Sequence, residues 1–208
     1  MREDGQLVGI VSMDLSKVFD VMQHPLLLAK LKAYGLDKDS CALFRHYLSN
    51  RQERVKIGNT FSSWEGVKRG VPQGSVLGPI LFNIFINDLY HVKRANLNAY
   101  ADDHQIYYSD RDPVAQEECL CKEIEVANQW YSENGMIVNK SKHQALILGD
   151  TEHIFSCPVK ESIDIFGMTI DNKLQFDKHV SSICKKVNNQ LKDGGRSAFC
   201  RRNFCKFL

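Results

Sequence analysis

Three carboxylates stand where chemistry is possible. Asp14 closes the apolar run "LVGIVSMD", and Asp102 and Asp103 sit side by side in "NLNAYADDHQIYYS". Adjacent anions repel and Asp is depleted in strand interiors, so the pair belongs at a turn, where Asp is common. Two readings are open for it: a solvated turn, or part of a cation site. If the first strand pairs beside this hairpin, all three carboxylates converge at one sheet end and call for a cation. Such oxygen clusters suit Mg²⁺, which takes a few carboxylates together with substrate phosphates. Two such ions about 3.5–4 Å apart can activate an attacking hydroxyl and stabilise a leaving oxygen. The chemistry would be phosphoryl transfer.

The elements that must position these groups are legible from periodicity. "LVGIVSMD" reads as a buried strand. "HPLLLAKLKAY" has helical spacing with a stop at Gly35, and "DKDSCALFRHYLS" is a second helix capped by Asp37. "ERVKIGNTFSSWEGV" reads as a hairpin turning at Gly58 and Asn59, and "KRGVPQGSVLGP" as a glycine- and proline-rich loop. An apolar helix, "ILFNIFINDLYHV", follows and ends near Lys93. Beyond the aspartate hairpin, residues 113–134 form an amphipathic helix with Leu120, Ile124, Ala127 and Trp130 on one face. "MIVNKSKHQALILG" and "IDIFGMTIDNKLQF" read as two more hairpins, and a last helix starts at about Asp177. Strands and helices in this irregular order predict an α+β fold, an antiparallel sheet with helices packed on one face.

The 208 residues suit one domain, or one with a small appendage. At 43% apolar and 25% charged, the chain has the composition of an ordinary globular protein. The first residues show no secretory signal, and the longest apolar-rich run, "ILFNIFI", is too short for a bilayer, so the expectation is an intracellular protein without membrane partners. Seven cysteines fit no zinc spacing and read as reduced thiols. From Lys185 onward, seven basic side chains (Lys185, Lys186, Lys192, Arg196, Arg201, Arg202, Lys206) face one acid, Asp193. Such a tail suits either a nucleic-acid partner or a solvated end.

These segments carry a resemblance. "VSMDLSKVFD", "KRGVPQGSVLGPILFNIFINDL", "YADD", "GMIVNKSK" and "IFGMTIDNKLQF" occur in the order used by reverse transcriptases of non-LTR (LINE-type) retrotransposons, over nearly the whole chain. The resemblance implies a polymerase palm over residues 1–150, with a helical and hairpin fingers-type insertion at about 25–68. It also implies a primer-grip-like hairpin and basic helical tail, a partial thumb, over 151–208. The implied activity is RNA-directed DNA polymerisation, with an RNA template, a DNA primer and deoxynucleotides as partners and two Mg²⁺ or Mn²⁺ ions as cofactors. By this resemblance Asp14, Asp102, Asp103 and the carbonyl of Leu15 hold the metals. Phe19 lies under the nucleotide sugar, though a core aromatic is the other reading. Gln73 and Gly74 lie against nucleotide and template, Lys142 donates a proton to the leaving pyrophosphate, and Tyr100 and Gly167 stand near the primer end. Asp20 and His24 are expected to be structural. Work in the nucleus, within a retrotransposon ribonucleoprotein, would follow.

The chain also departs from the family. Val18 replaces a usual alanine, "VMQH" replaces a Thr-Val-Asn-His run, and His104 and His143 replace threonines. Only thirteen residues precede Asp14, where the family carries basic fingers residues that hold the triphosphate. A nucleic-acid-binding remnant that no longer polymerises is therefore the alternative to an active enzyme.

Overall fold

A computed structural model describes residues 5–92 and 95–194. The chain opens with β1 (Leu7–Ser16), followed by α1 (Val18–Val21), α2 (His24–Ala33) and α3 (Lys38–Leu48). Four two-residue strands come next: β2 (Gln52–Glu53), β3 (Lys56–Ile57), β4 (Thr60–Phe61) and β5 (Glu65–Gly66). Then come α4 (Leu77–Ile86), α5 (Leu89–Val92), β6 (Asn96–Tyr100), β7 (Asp103–Asp110) and α6 (Pro113–Glu133). The last elements are β8 (Ile137–Val138), β9 (Gln144–Leu148), β10 (Ser162–Ile165), β11 (Met168–Asp171) and α7 (Asp177–Gly194). The end of the basic tail, residues 195–208, lies outside the described residues. No helix among the described residues is long and apolar enough to cross a membrane.

Five strands form one antiparallel sheet in which β1 is central, with β7 and then β6 on one edge and β8 and β9 on the other. Alternation along β1 decides which side chains face the helices: Leu7, Val11, Met13 and Leu15 are buried, whereas Ser12 and Asp14 point to the opposite face. The core behind that face joins Met13 and Leu15 to Phe82 and Phe85 of α4 and to Leu120, Ala127, Trp130 and Tyr131 of α6. At Gly9 a methyl group would overlap the tip of the Leu120 side chain, which would have to shift, so α6 lies close over the sheet there. The expected α+β arrangement is the observed one. Leu27 and Leu31 of α2 and Leu48 of α3 enter the same core, whereas the hairpin from Gln52 to Gly66 stands clear of it, as do β10, β11 and α7.

Local chemistry sets several boundaries. The Asp37 carboxylate accepts from the Ser40 amide at 2.7 Å and caps α3. Gly58 and Asn59 form the turn between β3 and β4, and Asp112 with Pro113 starts α6.

Two sequence expectations need correction. Residues 136–149 are not a hairpin, because β8 and β9 both pair with β1, as one strand interrupted by a 3₁₀ turn at Lys140–Lys142. The apolar helix is also divided at Asn87 and Asp88. There the Lys30 ammonium donates to the Phe85 carbonyl at 2.7 Å and to the Asp88 carboxylate at 2.9 Å, ending α4.

Candidate active site

Asp14 and Asp103 are cross-strand partners at the end of the β1–β7 ladder. One residue on, the Leu15 amide donates to the Asp102 carbonyl at 3.1 Å. That bond makes Leu15–Asp102 the hydrogen-bonded level, so Asp14 and Asp103 are the closer-spaced pair, whose side chains leave the same face. Tyr100 pairs with Asp103, so Ala101 and Asp102 are a two-residue turn, with Ala101 in the left-handed region at φ 52°. The first strand does pair beside the hairpin, and the three aspartates meet at one sheet end. Burial, and then the charges of Asp102 and Asp14, push the Asp103 carboxyl above its ordinary range, while Lys142 acts in the opposite sense.

A cleft of about 480 Å³ opens beside this turn, walled by Lys17, Phe19, Gln73, Gly74, Pro79 and Asp102. Phe19 is half-buried with its ring centroid 5.2 Å from that of Phe82, so it is both core and cleft wall. The loop bearing Gln73 and Gly74 is stapled to the segment after Asp14. Gly70 donates to the Met22 carbonyl at 2.7 Å, Val71 to the Phe19 carbonyl at 2.8 Å, and the Gln73 amide to Asp20 at 2.8 Å. His24 bonds the Gly70 carbonyl at 2.8 Å. Asp20 and His24 therefore hold the loop. Gly70 has φ 78°, and a Cβ there would sit 2.6 Å from the Phe19 carbonyl oxygen, so no other residue permits this approach.

The family model described as reverse transcriptase (RNA-dependent DNA polymerase) matches residues 1–170. The chain belongs to the reverse transcriptase family. Among curated relatives, a probable RNA-directed DNA polymerase from transposon BS of Drosophila melanogaster is 25% identical over 91% of this chain and 23% of its own length. The RNA-directed DNA polymerase from mobile element jockey of the same fly is 26% identical over 82% of this chain and 20% of its own. The chain thus spans less than a quarter of the length of these relatives. Apo telomerase from Candida tropicalis, truncated from its C-terminal domain, superposes with a TM-score of 0.59 at 14% identity, covering 82% of this chain and 35% of that one. Telomerase from Candida albicans gives 0.59 at 16% identity, over 79% and 30%. The fold is shared with these structures.

On this reverse transcriptase scaffold the remaining site residues fall around the aspartates. The Lys142 ammonium is 3.1 Å from an Asp14 carboxylate oxygen, carried there by the 3₁₀ turn between β8 and β9. Among the described residues no three His, Cys, Asp or Glu side chains are drawn together as metal ligands, and a lysine is Asp14's partner. Tyr100 is 72% exposed, and its ring meets that of Phe166 edge-on at 5.7 Å. Phe166 and Gly167, at φ 52° and 79°, are the tip of the β10–β11 hairpin, so that tip abuts the aspartate turn.

Three contributors have no role in the sequence reading. Lys17, in the left-handed region at φ 53°, lines the cleft between Asp14 and Phe19. His104 is fully buried beneath the turn, with Nε2 3.1 Å from the Ala101 carbonyl and Nδ1 2.7 Å from the Tyr131 hydroxyl. A carbonyl only accepts, so in the neutral ring Nε2 carries the proton and the Tyr131 hydroxyl donates to Nδ1. Burial raises the Tyr131 pKa, which keeps that hydroxyl a donor. The signal for Lys17 is its spacing after Asp14. For Tyr131 there is none beyond its place on the inner face of α6.

Proposed function

We propose that this chain is the palm of an RNA-directed DNA polymerase that extends a DNA primer on an RNA template. The observation that carries the reading is the Asp14–Asp103 pair beside Asp102, which itself walls the cleft together with Phe19, Gln73 and Gly74. In the reaction the primer 3′-oxygen bonds to the α-phosphorus of a deoxynucleoside triphosphate, the α–β bridging bond breaks and pyrophosphate leaves. In kind the donors suit Mg²⁺ or Mn²⁺, because Asp14, Asp102 and Asp103 lie at one sheet end and Asp103 is disfavoured as an anion by burial and by its two neighbours, although the side chains are not drawn together as ligands while Lys142 holds Asp14. Asp14, Asp102, Asp103 and the Leu15 carbonyl would hold two such ions, which supply charge stabilisation at the attacking and leaving oxygens.

The chain's own residues do the rest. The Phe19 ring lies under the sugar and excludes a 2′-hydroxyl. Even a methyl group at Gly74 would meet nothing within 4 Å, so the backbone there is open to a nucleotide, with Gln73 braced beside it by Asp20. Lys142 leaves Asp14 to give a proton to the departing pyrophosphate. Tyr100 and the Gly167 tip bear on the primer end.

Primer extension on an RNA template with Mg²⁺ tests this reading. Asp102→Asn is expected to lower the rate by about 10²–10³-fold, the scale of a lost electrostatic stabiliser, and Phe19→Val to raise ribonucleotide use. Extension that survives Asp102→Asn overturns the reading. The Lys142–Asp14 ion pair favours a second one, a nucleic-acid-binding remnant in which an ammonium stands in for a cation. Mn²⁺ binding seen by electron paramagnetic resonance only after Lys142→Ala would select it.

A further inference from the structure

Away from the cleft, α6 and the loop after β9 bring together two cysteines that the polymerase reading does not use. Cys121 lies on α6 and Cys157 in the segment between β9 and β10; both thiols are free and both residues are exposed. The run "ECLCKE" suggests a different pair, Cys119 with Cys121. Positions two apart on a helix do not face each other, however. Cys119 is half-buried on the side of Tyr108, whose hydroxyl its charge pushes up.

Glu117 supplies Cys121 with its neighbour instead. It stands one turn before Cys121, and residues four apart share a helix face. Its carboxylate accepts from the Ser156 amide at 2.6 Å, the Ser156 hydroxyl at 2.5 Å and the His153 ring at 2.7 Å. Cys157 follows Ser156, so these bonds deliver it to the face that carries Cys121. Just beyond, the chain is tied to the sheet. Val159 bridges Ala145 of β9, and the Lys160 amide donates to the Ala145 carbonyl at 2.8 Å. Cys157 is thus held between two anchors. Each sulfur also feels the charges gathered there. Desolvation, then the charge of Cys157, then Glu117 and Glu125 push the Cys121 thiol up, and desolvation with Glu117 does the same to Cys157. Thiols that resist ionisation are poor leaving groups, so a disulfide between them resists reduction.

We propose that Cys121 and Cys157 form a redox pair, which a low-molecular-weight disulfide such as glutathione disulfide closes into an intramolecular bond. One cysteine thiolate attacks a sulfur of the oxidant, forming a mixed disulfide and releasing one glutathione thiol. The other cysteine thiolate attacks the protein sulfur of that mixed disulfide, and the second glutathione thiol leaves. The protein loses two electrons and two protons, and one glutathione disulfide becomes two thiols. Closure puts a covalent bond beside the hydrogen-bonded staple and locks residues 153–160 onto α6. The pairing needs no polymerase activity.

Equilibrating the full chain with glutathione disulfide, alkylating it and digesting it with trypsin without reduction tests the pairing. Cleavage after Arg111, Lys122, Lys142 and Lys160 should leave peptide 112–122 joined to peptide 143–160. Cys119→Ser should keep that link, and Cys121→Ser or Cys157→Ser should abolish it. Glu117→Ala removes the staple and should lower the equilibrium constant for closure about tenfold, the scale of a lost hydrogen bond to a charged group. Ser156→Ala, which loses the hydroxyl alone, should lower it less. Closure should slow amide hydrogen exchange across residues 153–160 by about tenfold or more. A link that survives Cys121→Ser and disappears in Cys119→Ser would overturn the pairing, as would joined peptides that form only in urea. A constant unchanged in Glu117→Ala would remove the staple from the account, and unchanged exchange in the closed chain would remove the lock.

Discussion

The aspartate turn and the Gln52–Gly66 hairpin are both two-stranded tips, yet they are built oppositely. Behind the aspartates stand Met13, Leu15 and His104, each at most 1% exposed, and the histidine grips the turn's own carbonyl. Phe61 and Trp64 are backed by solvent and by the Arg54 guanidinium they share. Chemistry at a phosphorus atom needs oxygens held within a fraction of an ångström, and burial beneath the turn provides that. The hairpin from Gln52 to Gly66 is an arm clear of that core, and no packed floor imposes such precision on it.

That contrast can be broken by substitution, starting where burial is deepest. Leu15→Ala removes a buried side chain next to Asp14 and should cost about 2–5 kcal/mol in urea unfolding. A loss under about 1 kcal/mol would mean that the turn is not set by the core behind it. His104→Ala comes next, expected at about 1–3 kcal/mol, since it leaves the Tyr131 hydroxyl buried without its partner. Tyr131→Phe should cost less, and the double variant less than the sum; strict additivity would deny the coupling.

A third probe concerns an attachment between these extremes. Glu117 on α6 accepts from the Ser156 hydroxyl at 2.5 Å, from His153 at 2.7 Å and from the Ser156 amide at 2.6 Å, pinning the loop after β9. Those hydrogen bonds, Ser156's first, hold its carboxyl down to about 2, against an ordinary 4.5. The folded state therefore gains from ionised Glu117 above about pH 4.5 and loses that gain as pH falls towards 2. Glu117→Gln should flatten this acid limb in urea titrations between those limits, and an unchanged limb would remove Glu117 from the account. The smallest effect is expected at the arm. Phe61→Leu with Trp64→Leu should change folding stability by less than about 0.5 kcal/mol, as exposed sites do. A loss above about 2 kcal/mol would show that the arm is buried against something.

Much of this molecule was readable in one dimension. The apolar run ending at Asp14 read as a strand, and "AYADDH" put two acids at a tight turn. The cap at Asp37, the helix start at Pro113 and the turn at Gly58–Asn59 were equally local. Each depends on residues within a few positions of one another, where spacing alone settles geometry.

What spacing could not settle depended on partners far away in the chain. Lys30 divides an apolar helix from 55 positions distant, and Lys142 meets Asp14 across 128. β9 pairs with β1 instead of folding back on β8, because β1 offers a free edge once β7 has taken the other. His104 finds Tyr131 only when α6 lies across the sheet. Spacing alone settled where the chain turns and where its helices start, but that Asp14 and Asp103 share a face came from the β1–β7 register. Only tertiary structure decided which cation those acids meet and which side chains brace them, because long-range pairing is settled by the shape of a shared core.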